Sequence, residues 1–407
     1  MNASHNPYTH HEYKILGQVH GVYQEVVDMS DVLLISCQHL LSPQLALFSL
    51  FFEAGLKPEN CLIVGKNYST NTEILSELRA ARCPVAPMSD QFDSLRRFDG
   101  WFSPRVTAWV ADIISDRNMG KIRRIIVLDD GGYMHESLYR LYGNHTYIVG
   151  VEQTSSGKTR IERLGIKFNQ HMVASSLYKQ RYEARFIGAL GAERIVAHIR
   201  SRGMNSPRVL VLGMGTIGRN TAAELYLKYG LEVNVTDVRY SNPASTDLRS
   251  AKSNMMFESR GLRKEYTDTM KHLADYEVII GATGSQSLDT QQVQHNIHPH
   301  ASLISMSSGD TEFDALSFRS PRHRVHDDCM MGDRCLVNAG FPITFYGQMH
   351  EIHPLQIELT IAQLQASVMD LAVVNRSAPG VPHYGTVINQ VYETWKRELV
   401  EHEFVSL

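Results

Sequence analysis

The stretch VLVLGMGTIGRN, residues 209–220, constrains the fold of this chain more than any other. A run of small and branched apolar residues enters a glycine cluster, Gly213, Gly215 and Gly218, and the amphipathic segment TAAELYLKYG leaves it. The layout is a strand, a tight turn and a helix. In such a turn the first glycine gives backbone freedom and the second lets the chain approach a pyrophosphate. The third lets helix and strand pack closely, while the helix N-terminus faces the negative charge. Thr216 and Ile217, between the second and third glycines, belong to the same turn. A second apolar run, LEVNVTD, ends in Asp237, nineteen residues beyond Gly218. An acid there accepts hydrogen bonds from an adenosine ribose and repels a 2′-phosphate. The pattern predicts dinucleotide binding with NAD favoured over NADP, and the nearby Arg239 keeps the second preference open.

At 407 residues the chain is long enough for two domains with separate cores. It is 43% hydrophobic and 20% charged, with a net charge of −3, which gives no reason to expect nucleic acid or an anionic membrane as a partner. The five cysteines, at 37, 61, 83, 329 and 335, show neither a CxxC pair nor zinc-like spacing, so reduced thiols and a cytoplasmic location are expected. The start, MNASHNPYTHHEYKIL, lacks the basic region and apolar core of an export signal. LALFSLFFEAG, from 45, is too short to cross a bilayer and reads as a buried helix. Among the 19 histidines the densest group, HNIHPH at 295–300, reads as a solvated turn, and no metal site is expected.

From residue 31 short apolar runs alternate with helical periodicity, the signature of parallel sheets covered by helices. Strands are expected at 31–37, 60–65, 123–130 and 146–152, with helices around 43–54, 71–82 and 104–117. A long helical segment, roughly 175–201, leads into the glycine strand. EVNVTD, YEVIIGAT (276–283), ASLISMSS (301–308) and CLVNAG (335–340) complete a second sheet, and a helix over 354–372 is expected to return to the first domain. The expected fold is α/β, with two Rossmann-like parallel sheets. The expected division is 1–187 for the first part of a substrate-binding domain and 188–348 for an inserted NAD-binding domain. A return helix would follow at 349–375 and a C-terminal extension at 376–407. In such sheets ligands bind at strand C-terminal ends, and a two-domain arrangement of this kind predicts a cleft.

VLDDGG, VEQTSSG, SLYKQRYEA, LGMGTIG, GATG, SMSSGDTEFD and LVNAG occur in that order. Over roughly residues 31–372 the chain thereby resembles the S-adenosylhomocysteine hydrolase family. The resemblance implies a tightly held NAD that oxidises a ribose hydroxyl, acidifies the neighbouring C–H bond, permits elimination at C5′ and addition of water, and is then restored. It implies that Lys179 handles the hydroxyl proton and that Glu183, one helical turn on, tunes it. Asp130 and His39 would manage elimination and water. Thr154, Ser155 and Ser156 would reach the nicotinamide ribose, with Thr283 and Asn338 as further cofactor contacts. Each residue type also has a structural reading: a Lys/Glu pair at i, i+4 is the pattern of a surface couple, Asp-Asp-Gly-Gly that of a turn, and TSSG that of a helix cap.

The departures from the family concentrate in the substrate pocket. Leu41 and Pro43 stand where the family reads adenine with threonine and glutamate. Gln153 replaces a ribose-binding glutamate, Ser308 replaces a histidine, and Phe341 takes the place of another. Gln153, Ser308 and Phe341 are therefore the expected substrate-contacting positions. The oxidation machinery is kept better than the recognition machinery, which points to a nucleoside-type thioether or ether processed by hydrolysis or by elimination alone. An NAD-dependent dehydrogenase of another hydroxy substrate and a non-catalytic NAD-binding regulatory protein are the alternatives. The family also implies a homodimer or homotetramer, although the tail, WKRELVEHEFVSL, lacks the family's Lys/Tyr ending.

Overall fold

The computed structural model describes residues 13–241, 252–373, 380–402 and 404. Most of the N-terminal stretch read for an export signal, and residues 374–379, which span the end of the expected return segment and the start of the expected C-terminal extension, lie outside the described residues.

The elements run α1 (Lys14–Tyr23), β1 (Val32–Leu40), α2 (Ser42–Glu53), β2 (Cys61–Thr70), α3 (Thr72–Ala80), α4 (Phe98–Ser115), β3 (Arg124–Asp129), α5 (Tyr133–Tyr142), β4 (Ile148–Glu152), α6 (Ser155–Leu164) and β5 (Asn169–Met172). A π-helical turn at Lys179–Glu183 then precedes α7 (Ala184–Ser201), β6 (Val209–Leu212), α8 (Thr216–Leu227), β7 (Val233–Thr236), α9 (Lys252–Ser259), α10 (Tyr266–Lys271), β8 (Val278–Gly281) and β9 (Ser302–Ser305). The short β10 (Cys329–Met331) and β11 (Arg334–Leu336) are followed by α11 (Pro354–Ala372) and α12 (Tyr384–Glu401).

The chain divides into two compact units. The first holds residues up to Gln91, Phe102–Glu183 and the chain from Gly347 onward; the second holds Phe92–Trp101 and Ala184–Tyr346. The divisions thus fall at 183/184 and 346/347 rather than at 187/188 and 348/349, and 92–101 joins the second unit. Helix α12, inside the expected extension, belongs to the first unit: its Val387, Ile388, Val391, Trp395 and Leu399 are buried, and the Trp395 indole donates to the Leu355 carbonyl at 2.6 Å. No described helix is long and apolar enough to cross a membrane.

The first sheet has the order β2-β1-β3-β4-β5 and is parallel throughout. Every residue of β1 and β2 is buried, because helices cover both faces of a parallel sheet. Helix α2 is likewise nearly all buried, matching the apolar stretch from 45. The helix expected over roughly 175–201 is irregular at its start, where the π-turn at 179–183 precedes α7; residues 169–172, ahead of it, form the edge strand β5.

The second sheet has the order β10-β11-β9-β8-β6-β7, parallel except for the β10/β11 hairpin at its edge. Chain order reverses between β6 and β8, which places a topological switch point beside the glycine turn after β6. Val209, Val211, Val233, Val235, Val278 and Ile280 pack with Ile195 and Ile199 of α7 and Leu225 of α8 in one core.

Candidate functional site

In the first unit the strand registers align Cys37, Asp129 and Glu152 across β1, β3 and β4. The residues just beyond them, at the switch point between β1 and β3, carry the chemistry. His39 and Asp130 are there as the sequence anticipates, and both are buried. Lys66, which sequence reasoning missed, joins them from β2. Gln38 pairs with Gly65 and Leu40 with Thr70, so the four residues Lys66–Ser69 stand opposite the single His39. That bulge turns Lys66 inward. It is closed by the Thr70 hydroxyl donating to the Lys66 carbonyl at 2.9 Å, and a Cβ on Gly65 would come within 2.5 Å of Thr70 Oγ1.

The Lys66 ammonium donates to Asp130 Oδ1, and both side chains are 1% exposed. Asp130 Oδ2 lies 3.3 Å from His39 Nε2, and His39 Nδ1 bonds the Ser69 hydroxyl. Burial alone would raise the Asp130 carboxyl, yet the ammonium of Lys66 and then His39 hold it below the usual carboxylate range. Burial likewise opposes charge on Lys66, and Asp130 overrides it and keeps the amine protonated. Burial lowers His39 despite its Asp130 neighbour, and Lys66 adds to the lowering, so the imidazole is neutral. The order Ser69–His39–Asp130 is that of a nucleophile relay, and Ser69 is fully buried.

The glycines after Asp130 are dictated by what lies beneath them. Gly131 and Gly132 have φ of 104° and 74°, and their N–H groups donate to Glu152 at 3.2 and 3.0 Å. Thr154 donates its N–H and hydroxyl to the same carboxylate at 2.6 and 2.7 Å. Burial, with Asp129 and Asp130 nearby, pushes Glu152 upward against those donors. Asp129 is a structural residue: its Oδ2 accepts from the N–H groups of Met134 and His135 and from the His135 ring at 2.8, 3.0 and 2.9 Å, which caps α5. Asp129, His135 and Glu152 are a donor set of metal-binding type; Asp129 Oδ2 and both Glu152 oxygens carry protein hydrogen bonds, while Asp129 Oδ1 and His135 Nε2 lack a protein partner.

Of the hydroxyls expected near a nicotinamide, Thr154 is the N-cap of α6, accepting from the Gly157 N–H at 3.0 Å. Ser156 bonds the Thr154 hydroxyl at 3.1 Å, and Ser155 is exposed. TSSG thus caps α6, a role compatible with contact to a cofactor. Gln153, whose N–H donates to the Asp129 carbonyl at 3.0 Å, is buried with its Oε1 lacking a protein partner. Both polar side-chain atoms of buried Gln38 are in the same condition.

Lys179 and Glu183 lie at the two ends of the π-turn, Nζ at 2.8 and 3.1 Å from the two carboxylate oxygens. Their side chains are only 16% and 15% exposed, unlike a surface couple, and the Thr360 hydroxyl of α11 anchors Glu183.

In the second unit the glycine turn has the predicted form. Gly213, with φ of 99°, lies so near β8 that a Cβ would stand 2.6 Å from the Ala282 carbonyl oxygen; one on Gly218 would stand 2.0 Å from the Gly213 oxygen. A Cβ on Gly215, the N-cap of α8, would meet nothing within 4 Å. Thr216 and Ile217 open that helix. A cavity of about 280 Å³ at the switch point is lined by Gly213, Gly215, Asp237, Arg239, Thr283 and Ser287 among others. Thr283 lies on its wall with its N–H and hydroxyl bound to Glu312 at 2.7 and 2.9 Å. Glu312, fully buried and unforeseen from sequence, also accepts from the Gly284 N–H and from Ser287 and Ser307, and so fixes the GATG loop.

Two expected contacts are corrected. Asn338 is fully buried with φ of 53°; its amide donates to the Pro342 and Phe345 carbonyls at 2.8 and 3.0 Å and its oxygen pairs with His326. Its side-chain amide thus serves the turn after β11. Phe341 is fully buried among Phe92, Phe98 and the Arg319 guanidinium, so it is core rather than substrate wall. Ser308 is exposed just beyond β9.

Strand order and glycine turn define the second unit as a Rossmann-like α/β fold. No protein-family model matches the chain. Two uncharacterized proteins from strains of Mycobacterium tuberculosis are each 29% identical to it over 370 residues, 88% of this chain and 68% of theirs. Among solved structures, a dipicolinate synthase component from Bacillus halodurans aligns over 86% of this chain and 100% of its own at 12% identity, with a TM-score of 0.45. A hetero-hexameric glutamate dehydrogenase from Thermus thermophilus aligns over 74% of this chain and 63% of its own at 14% identity, with a TM-score of 0.28. The resemblance to the S-adenosylhomocysteine hydrolase family rests on the sequence motifs alone.

Proposed function

We propose that the chain is an enzyme that takes a nicotinamide dinucleotide, NAD or NADP, at the glycine turn and acts on a secondary alcohol. The observation that carries this reading is the glycine turn, open above Gly215 and bordered by a cavity with Asp237 on its wall. The residues fit the cofactor: the backbone is bare where a pyrophosphate approaches, and α8 offers its N-terminus. When bound, a nicotinamide accepts two electrons and a hydrogen from an alcohol carbon and can return them.

The protein's own groups then have definable tasks. Lys179, as the free amine, would take the alcohol proton, and Glu183, itself held by Thr360, orients the nitrogen and pairs with the ammonium that results. Beside a carbonyl a C–H bond becomes acidic enough for a side-chain base, and the buried cluster of His39, Asp130 and Lys66 supplies one away from water. The unpartnered Gln38 and Gln153 side-chain atoms are available to a polyhydroxylated ligand. Leu41 and Pro43 begin α2 and offer no side-chain hydrogen bond.

The finer form of the proposal is adenosylhomocysteinase-like: transient oxidation of a nucleoside-type thioether or ether, elimination, and re-reduction with the cofactor retained. The test is to denature purified protein, prepared without added cofactor, and quantify released dinucleotide. Stoichiometric release supports the retained cofactor; an empty protein requiring millimolar dinucleotide would make it an exchanging dehydrogenase. A panel of nucleosides and thioethers, followed at the reduced-nicotinamide absorbance band, completes the test. No signal with any of them would leave a non-catalytic dinucleotide-binding protein.

A further inference from the structure

We propose that Lys66 is a positioning residue: by pinning one oxygen of Asp130 it reserves the other for His39, so that the imidazole, not the carboxylate, carries the exchangeable proton of the site. The inference deepens the reading above and rests on it only for its catalytic meaning.

Asp130 has two oxygens and both are engaged, Oδ1 by the Lys66 ammonium and Oδ2 by His39 Nε2 at 3.3 Å. Protonating a buried carboxylate that is clamped by a cation would strand the ammonium. His39 can change state with almost no rearrangement. When neutral, Nε2–H faces Asp130 and Nδ1 accepts from the Ser69 hydroxyl. When protonated, Nδ1–H donates to Ser69, whose hydroxyl can turn to the Lys66 carbonyl 3.3 Å away. The added proton thus sits on the ring, the carboxylate remains an anion and the ammonium remains a cation. The electron pair left by the proton stays on the substrate.

The groups that act on His39 include Lys66, Tyr68 and Ser69 from β2, Asp130 after β3 and Lys179 from the π-turn, with Asp129 and Glu152 behind Asp130. Among them Lys66 touches Asp130 directly and is fully enclosed, so solvent screens it least. Without Lys66, Asp130 is an uncompensated anion next to the ring, and the imidazolium becomes the natural counter-ion.

The test uses the full chain without substrate, so that it stands whether or not the oxidoreductive reading survives. The His39 imidazole is followed by nuclear magnetic resonance over a pH series and assigned by its absence in His39→Gln. The wild-type ring should titrate below the ordinary histidine value. In Lys66→Met its proton affinity should rise at least tenfold, and Lys66→Arg should restore the wild-type titration. A purely structural Lys66 would leave the midpoint unmoved, which overturns the proposal. If Lys66→Met does not fold, the wild-type Asp130 carboxyl carbon decides: it should show no protonation step between about pH 8 and 4, and a step there overturns the assignment.

Discussion

Asp237 receives Arg239 through both Nε and Nη2, at 2.9 and 2.7 Å, while its Oδ2 also accepts the Met214 N–H at 2.8 Å. The acid at the end of β7 therefore does two jobs before any ligand arrives. It ties the glycine turn to the neighbouring strand, and it holds a guanidinium against the cavity. Burial would raise the Asp237 carboxyl, but Arg239 and the Met214 N–H keep it low and ionised. An acid alone there repels a 2′-phosphate, whereas an acid already paired with arginine presents little net charge. Arg239→Ala should consequently weaken NADP binding about tenfold or more, in line with the loss of a charge-assisted hydrogen bond. NAD binding should change much less. Titration of the two cofactors into the variant checks this, and equal losses for both would show that Arg239 does not read the phosphate.

The three turn glycines should separate by effect. Gly213→Ala adds a Cβ 2.6 Å from a carbonyl oxygen at a φ of 99°, and Gly218→Ala adds one 2.0 Å from backbone. Each should destabilise the second unit by at least about 2 kcal/mol. Gly215→Ala has open space and ordinary backbone angles, so its thermal midpoint should stay near wild type while dinucleotide affinity falls. A Gly215→Ala protein binding dinucleotide normally would move the pyrophosphate elsewhere.

These glycines were legible because their signal is local: backbone freedom and close approach are written into residue type, and apolar runs on either side fix strand and helix. Most strands of both sheets were legible for the same reason. Lys66 was not. It stands inside a wholly buried strand, and its partner Asp130 is 64 residues away, so only the fold explains how its charge is tolerated. A lysine at the end of the apolar run CLIVG was the one available clue. β5, with the sequence NQHM, is a polar edge strand without alternation, defined by pairing to β4. Asn338 misled because LVNAG reads as a strand end, while residues 338 and 339 adopt the left-handed region. Phe341 misled because motif alignment places a residue in order along the chain without saying which way it faces.

Glu358 gives the molecule a pH dependence that arises outside the candidate site. It is 1% exposed on α11, and its Oε1 accepts the N–H groups of Ile15 and Leu16 at 2.6 and 3.2 Å, capping α1. Burial pushes its carboxyl from 4.5 to about 7 despite those two donors. The folded state then binds more protons than the unfolded state between those values, so stability falls as pH rises through the window. The whole effect is bounded by roughly 3 kcal/mol. Glu358→Gln removes the titration, and denaturant midpoints of the variant should lose that slope and exceed wild type at pH 8. An unchanged slope would place the titrating group elsewhere.

The last prediction concerns the buried ion pair itself. Lys66 and Asp130 were both taken from water, and removing one partner leaves the other charge buried without its counterpart. Lys66→Met should cost about 3–5 kcal/mol in urea unfolding, as such single removals do. Asp130→Asn should cost a similar amount, because it strands the ammonium. In Lys66→Met/Asp130→Asn neither charge remains to be desolvated, so much of the loss should return and the two changes should be strongly non-additive. His39 complicates the first variant usefully: by taking a proton it can neutralise the orphaned Asp130, so Lys66→Met should be less damaged at pH 6 than at pH 8. A Lys66→Met protein equally destabilised at both pH values would mean that His39 does not answer to Asp130. Additive losses in the double variant would mean that Lys66 and Asp130 are not energetically a pair.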